Sequence, residues 1–572
     1  MSVSLGDVVK INCDVLVVGG GIAAVSAVMH ALNGNARVGL AVKGRFGAVG
    51  QRGAGASSCG TTFFGAPQLP GVHEGDFEQD SRFNRIVAAG LGMVERKLAR
   101  VLLEDTEAIR QTVKDWGVVW SRLGPVGLGY PAVSAVESTI RNASSDSLEL
   151  FEDTMIVDLV VHDGRCAGAV GVTAKGDILL FRTPAVVLAT GGNAQLFRHN
   201  VHPDCITGDG YAAGLRAGAV LMNMEFMQIF FCIPYPTRNL FHVWQGEELG
   251  TIHNTQGHQF LADYLPEGVT AQECVEENLR HAPFSTRDKA SRYLAVGMVK
   301  EVQAGRGTEN GAVYFDLPEP RSWKERAQLE FLRYRGIDPA SGPVELTMGH
   351  QCSDGGFRID TDAMTTIPGV FAAGEATTGM HGADRIGGHM LANGLIFGAR
   401  AGRSALRWAG RYSAPADIGA LSKPQQERIR SRAAGDGATD PHRLLKDLKQ
   451  SAWNNALVVR SEAGLKGLLD DIGSIETESA SSLGIRQPED LTAALELENL
   501  LLVGKAVATA AVERRESLGG HYREDYPGRK TSELPKAFLL SYSEDRRIHI
   551  KQEVVDPEWK EADAEIGNER WG

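Results

Sequence analysis

Short, wholly apolar runs set between glycine turns organise the first half of this chain. Residues 14–18 form such a run, β-branched and without alternation, which predicts a parallel strand covered on both faces. Gly19-Gly20-Gly21 follows at once, residues 23–32 have helical composition, Asn33-Gly34-Asn35 stops that helix, and residues 37–42 supply a second strand. Residues 154–171 alternate around an Asp163-Gly164 turn and predict a small inserted sheet, while 185–188 is another buried strand, ending at Ala189-Thr190-Gly191-Gly192. Between 230 and 345 the pattern changes to aromatics, prolines, charged helices such as 270–277, and a strand at 312–315. The buried-strand pattern returns at Gly369-Val370-Phe371-Ala372-Ala373-Gly374-Glu375, and residues 390–408, full of Ala and Gly, predict a close-packed helix. Beyond Tyr412 the sequence turns helical and charged. Its clearest helix is 491–516, with Leu491, Leu495, Leu502, Ala506 and Ala510 on one face and Gly519-Gly520 as its stop. The predicted division is one discontinuous body (1–229 with 346–412), an insertion (230–345) and a C-terminal unit (413–572), with no internal repeat.

The first strand, turn and helix make a βαβ unit opening with Gly-x-Gly-x-x-Ala. Gly19 permits the tight turn, Gly21 lets a pyrophosphate approach the backbone, Ile22 and Ala23 begin the helix, and small Ala24 lets helix and strand pack closely. The alternative is a glycine turn that holds no ligand. An acidic residue for a ribose is expected about 20 residues on, but Val42 beside Lys43 stands there, which weakens an NAD reading more than an FAD reading. The loop 46–65 includes Gly50, Gln51, Gly53, Ala54 and Ser57, small residues whose N–H groups can crowd a flat or anionic ligand; a plain surface loop is the other reading. Repeated glycine returns without a repeating unit predict distant segments wrapped around one long cofactor.

Composition narrows the class. A 572-residue chain with 43% hydrophobic residues buries a large core in two or more domains, and 67 glycines suit many backbone-to-ligand approaches. The net charge of −12 argues against a general nucleic-acid or anionic-membrane surface. Seven cysteines are spread singly with no Cys-x-x-Cys, so no zinc or iron–sulphur site is readable, and reduced thiols in a cytoplasmic compartment are the simplest expectation. Residues 15–32 are apolar enough to suggest a membrane span, but three glycines and His30 fit strand-turn-helix better, so a soluble protein without a direct span is expected.

Taken together and in order, the motifs resemble the flavoprotein subunits of succinate dehydrogenase and fumarate reductase. L-aspartate oxidase and the flavoprotein subunit of adenylylsulfate reductase belong to the same superfamily. The resemblance rests on the N-terminal dinucleotide turn, Trp120-Ser121-Arg122, Ala189-Thr190-Gly191-Gly192, Gly208-Asp209-Gly210-Tyr211, Arg287-Asp288 and Gly305-Arg306-Gly307-Thr308. It continues through Ala373-Gly374-Glu375, His381-Gly382-Ala383-Asp384-Arg385-Ile386-Gly387-Gly388 and the segment Arg515-Glu516-Ser517 to His521-Tyr522-Arg523-Glu524-Asp525-Tyr526-Pro527. It implies an α/β Rossmann-like FAD-binding domain, an inserted α+β capping domain closing over it, and a C-terminal helical domain.

It also implies hydride passing between flavin N5 and a substrate carbon while a proton moves on the opposite face. Arg287 matches the arginine that delivers this proton, with a simple ion pair to Asp288 as the alternative. Arg385 matches a second arginine, near flavin and substrate carboxylate, or anchoring the cofactor alone. Thr190 and Gly191 match cofactor-binding positions, Asp209 and Glu375 would accept from ribityl or ribose hydroxyls, and Met390 and Leu391 open a helix aimed at the flavin carbonyls.

The departures lie at the substrate site. Phe230 and its neighbours replace a histidine after Gln228, Glu345 replaces the histidine before Thr347-Met348-Gly349, and the Arg-Gly-Glu-Gly-Gly stretch survives only around Glu248 without its arginine. Loss of such contacts costs dicarboxylate binding, so a substrate other than fumarate or succinate is expected, larger and less anionic or partly cationic. His350 and His389 are added polar groups, each a candidate acid or base or a structural histidine. No histidine lies between His30 and His73, so noncovalent FAD is expected. Three functional readings stand: an FAD-dependent oxidoreductase acting on an activated C–C or C–N bond of a small molecule, a flavin subunit feeding a separate electron-transfer protein as in adenylylsulfate reductase, and a non-catalytic flavin-binding scaffold. The sequence leaves the oligomeric state open.

Overall fold

The computed structural model describes residues 5–32, 36–47, 79–116, 138, 140–143, 147–236, 239–240, 251–278, 289–317, 319–320, 323–334, 336–387 and 389–568. Its central sheet runs in the order Val370–Ala372, Ala185–Leu188, Val15–Val18, Val38–Ala41, Leu148–Phe151, with every neighbouring pair parallel. The first four of these strands are buried along their whole length, which is why they read as unbroken apolar runs.

On this sheet the helix Ile22–Ala31 packs against the long helix His389–Ala409. Contact is close because one helix presents glycines four residues apart. A Cβ on Gly398 would stand 2.5 Å from the Ala23 carbonyl oxygen, and one on Gly402 2.2 Å from that of Ala27. The backbones approach through those gaps, and this brings the start of the second helix beside the first glycine turn.

The inserted sheet forms as expected from Thr154–His162 and Arg165–Thr173, joined by a turn with positive φ at both Asp163 and Gly164. It is larger than the sequence suggested. Ile178–Arg182 and the edge strand Val8–Asn12 complete four strands. A second mixed region carries an antiparallel sheet ordered Asn239–Leu240, Met227–Ile233, Val344–Ser353, Val313–Phe315, Ile252–His253. The boundaries expected at 230 and 345 fall inside two of its strands, Met227–Ile233 and Val344–Ser353.

The C-terminal unit is helical through Pro488–Glu513, a helix buried nearly all round. It stops at Glu513, short of the expected Glu516 and of Gly519-Gly520, because Arg514 leaves helical geometry to place its side chain against buried Glu225. Beyond it the only helical stretch among the described residues is the 3-10 segment Glu561–Asn568. Ala537–Tyr542 and Ile548–Glu553 form a hairpin that joins Leu221–Met222 and Gly356–Phe357 in a four-stranded sheet. Among the described residues, no helix is long and apolar enough to cross a membrane.

Candidate cofactor and active site

Gly19 has φ +120°, and a Cβ there would stand 2.2 Å from the Ala189 carbonyl oxygen, so the turn between strand and helix is open only to glycine. Gly21 caps the helix Ile22–Ala31 with no side-chain bond to its first N–H groups, and a Cβ on Gly21 would meet nothing within 4 Å. Free N–H groups and an open approach at a helix start suit a phosphate.

The approach opens into a cavity. Its walls come from distant segments. Gly19, Gly21, Ile22, Ala23, Lys43, Thr190, Gly191, Asp209, Glu375, Met390 and Leu391, expected from the sequence, all line it. Gly374 of the expected Ala373-Gly374-Glu375 turn lines it too, while Thr154–Ile156, His202, Pro203, Cys205, Gln351 and Cys352 line it and were not anticipated. The visible signal for the missed group was His202-Pro203, a polar break between two glycine turns.

Ala24 lies beneath the helix in the core, outside this lining. Gly50, Gln51, Gly53, Ala54, Ser57, Glu248 and Arg287 fall outside the described residues.

Two features test the cavity for a long flavin nucleotide. Thr190 Oγ1 is buried with no hydrogen-bond partner, and a Cβ on Gly210 would come within 2.1 Å of it, so a hydroxyl is kept free in a narrow place. The lining also mixes an apolar wall (Met155, Ile156, Ile206, Met390, Leu391) with charged groups at Lys43, Asp209 and Glu375. Such a lining fits a ligand with flat apolar and hydroxylated parts.

Lys43 donates to Thr207 Oγ1 at 2.5 Å and Asp209 Oδ2 at 2.7 Å, and pairs with Glu496 Oε1 at 2.7 Å. Burial works against its charge, but Asp209 and Glu496 outweigh it and hold the ammonium above its ordinary range. Asp209 is engaged at both oxygens, since Asn499 Nδ2 donates to Oδ1 at 2.8 Å. Glu375 accepts from the Ser353 N–H at 2.9 Å.

Arg385 sits behind the cavity wall, 3% exposed and outside the lining. It donates to the Ile386 carbonyl at 3.0 Å and to Gln351 Oε1 at 3.2 Å, while its Nε has no hydrogen-bond partner. Asp354 Oδ1 is 3.9 Å from that Nε. Both Asp354 oxygens are buried and unpartnered, and burial, opposed by Arg385 and reinforced by Asp384 and Glu375, lifts this carboxyl well above the usual range.

The remaining candidates do not reach the cavity. Phe230 is buried in Met227–Ile233 opposite Gly349. Glu345 accepts from Asn310 Nδ2 at 2.8 Å, six residues and roughly 20 Å of strand from the lining residue Gln351. His350 is fully buried, stacked on Phe197 with ring centroids 5.2 Å apart, and bonded through Nε2 to Ser353 Oγ at 3.1 Å. Burial, then His202, keeps it well below the ordinary histidine range. His389 is also buried, and burial together with Arg385, Arg85 and Arg82 lowers it to about 3. Both imidazoles are held in the neutral form near pH 7, so neither is an imidazolium acid there.

A pH dependence follows. His350, His381, His389 and His521 are all buried with depressed values, burial being the first cause in each. The unfolded chain binds protons at these sites where the folded one does not. Their stabilising contribution is therefore complete above the ordinary value of about 6.5 and is lost as pH falls, for His389 down toward about 3. The urea midpoint is expected to drop below pH 6.5, and His389→Gln to flatten part of that drop; a midpoint unchanged down to pH 5 in both proteins contradicts it.

Fold and cavity define a dinucleotide-binding flavoprotein. A family model for the FAD binding domain matches residues 14–391, and one for the fumarate reductase flavoprotein C-terminus matches 445–564. A fumarate reductase (CoM/CoB) subunit of Methanothermobacter marburgensis is 30% identical over 501 residues, covering 81% of this chain and 86% of the relative. An uncharacterized FAD-dependent oxidoreductase of Methanocaldococcus jannaschii is 30% identical over 548 residues, covering 90% and 94%. The solved structure of E. coli quinol fumarate reductase matches the fold with a TM-score of 0.80 at 23% identity, over 95% of this chain and 96% of that one. The chain belongs to the succinate dehydrogenase/fumarate reductase flavoprotein family and is an FAD-dependent oxidoreductase.

Proposed function

We propose that the protein exchanges a hydride with an activated C–C or C–N bond in a small organic molecule other than fumarate or succinate. The observation that carries this reading is Arg385, a buried guanidinium with an unused Nε donor, its nearest partners an amide and a carbonyl rather than a closely paired carboxylate. Such a cation suits one polar or anionic group beside the reacting bond. The positions where the family resemblance implies histidines at the substrate carry Phe230, buried, and Glu345, which accepts from Asn310. When bound, FAD supplies the two-electron hydride chemistry. Arg385, behind the wall residue Gln351, supplies positive charge next to the cavity, Met390 and Leu391 place the start of their helix at the cavity wall, and Arg287 is assigned the proton by its sequence match alone.

The Methanothermobacter relative is by name one subunit of a fumarate reductase, which supports a separate electron-transfer protein as partner. The six cysteines among the described residues form no disulfide, which supports a reducing, cytoplasmic setting. No histidine between His30 and His73 supports noncovalent FAD.

Anaerobic titration followed by the flavin absorbance tests the reading. Acid precipitation should release all flavin from the chain. Dithionite-reduced protein should be reoxidised by an enoate, enone or imine and not at a comparable rate by fumarate. Rapid reoxidation by fumarate, or no reoxidation by any member of such a panel, overturns it.

A further inference from the structure

The helix Pro488–Glu513 lies far along the chain from the dinucleotide turn, yet two of its side chains reach the cofactor cavity's charged end. Glu496 Oε1 is 2.7 Å from Lys43 Nζ, and Asn499 Nδ2 donates to Asp209 Oδ1 at 2.8 Å. Lys43 and Asp209 line the cavity; Glu496 and Asn499 stand behind them. We propose that Glu496 and Asn499 are positioning residues for the cofactor, so that FAD binding and seating of the C-terminal helix are one linked equilibrium. The proposal rests on the FAD assignment and adds to it a requirement from a different domain.

The hydrogen-bond arithmetic supports this. An ammonium has three donors, and those of Lys43 go to Thr207, Asp209 and Glu496. Asp209 Oδ2 is shared between Lys43 and Thr207, leaving Oδ1 to be fixed by Asn499. Each lining group thus takes one of its contacts from the helix, Lys43 its third acceptor and Asp209 the donor to its second oxygen. With Glu496 neutral, Lys43 loses one of two carboxylates opposing the burial of its charge, and its side chain is free to swing into the cavity or toward Asp209 alone. Asn499 is itself fully buried, so it cannot exchange its partner for water. The location also matters: Lys43 follows the strand Val38–Ala41 at the place where related dinucleotide folds use an acid for a ribose. Here the acid is brought by the C-terminal helix instead and acts through the lysine.

Linkage makes the relation reciprocal: whatever Glu496 contributes to FAD binding, FAD returns to the seating of residues 488–513. A clamp that merely joined two domains would stabilise the apoprotein without altering FAD affinity.

The experiment measures FAD binding to apoprotein by flavin fluorescence quenching in wild type, Glu496→Gln, Lys43→Met and the double variant. Glu496→Gln is expected to raise the Kd by roughly tenfold, as for loss of one charge-assisted hydrogen bond, and to have no further effect in the Lys43→Met background. A Kd within about twofold of wild type, or an equal loss with and without Lys43, overturns the proposal. A measurement on wild type alone covers the case of a variant that does not fold. Added FAD should slow amide exchange in residues 494–502, and unchanged exchange there overturns the proposal too. Failure of wild-type apoprotein to take up FAD overturns the cofactor assignment beneath it, a different result from uptake that is indifferent to Glu496.

Discussion

Arg385→Met is expected to lower kcat/KM by about 10²–10³ on whichever substrate reoxidises the reduced flavin, while leaving FAD bound. The guanidinium is buried, two of its nitrogens are fixed by the Ile386 carbonyl and Gln351, and Nε is the donor left over. A methionine fills similar space but supplies neither charge nor donor. Lysine keeps the charge and loses the planar fork, so Arg385→Lys should recover only part of the loss. The side effect has a definite sign. The raised Asp354 carboxyl holds a proton in the folded state that the unfolded chain releases above its ordinary value of about 4. Its contribution to stability is therefore full below that pH and declines as pH rises toward the folded value. Removing Arg385 removes the charge that opposes this elevation, so the variant should lose more stability with rising pH than wild type, and Asp354→Asn on top of it should abolish this part of the pH dependence. Stopped-flow half-reactions and urea midpoints across neutral pH separate the two effects. Activity within a factor of about ten of wild type removes Arg385 from the substrate site.

The parts of this site that were legible in the sequence are those written in local code. Gly19, the apolar strands and the glycine-spaced helix after Met390 are each dictated by sterics within a few residues, and each lies where its pattern placed it. Side chains whose role is set by a distant partner were not legible. Lys43 looked like a missing acid, because nothing near it in the chain announces Glu496. His350 and His389 looked like additions to the active site, and only the packing of Phe197 and the arginines around them turns them into buried neutral groups. The hairpin Ala537–Tyr542 to Ile548–Glu553 escaped notice because its turn has no glycine. The left-handed position falls on Arg546, at φ +61°. The edge strand Val8–Asn12 carries Val8, Val9 and Ile11, but it is mostly exposed and its short run does not alternate, so its apolar residues mark no core face.

That hairpin is tied down by the most deeply buried ion pair in the C-terminal unit's contact with the cofactor-binding body, and its loss should give the largest stability change. Arg514 Nε donates to Glu225 Oε1 at 2.7 Å, with both side chains almost wholly buried. The guanidinium lies between the rings of Phe226 and Phe538, 4.9 and 4.1 Å from their centroids, and donates through Nη2 to the Lys536 carbonyl at 2.9 Å. Arg514→Met keeps much of the apolar contact but strands Glu225 in a dry interior, at a cost of about 3–5 kcal/mol. Glu225→Gln should cost at least as much. The carboxylate also faces Arg460, a fully buried guanidinium that burial has already pushed down to about 9, with Glu225 opposing that shift and Arg523 adding to it. Neutralising Glu225 therefore leaves several buried cations with one fewer counter-charge, whereas removing Arg514 leaves the carboxylate without its hydrogen-bonded partner but still in the field of Arg460. The ordering expected from denaturant midpoints is wild type, then Arg514→Met, then Glu225→Gln, with the double replacement no worse than Glu225→Gln alone because it removes a charge of each sign. Single variants that each cost less than about 1 kcal/mol would mean that water reaches the pair and that the hairpin is held by its sheet pairing to Leu221–Met222 instead.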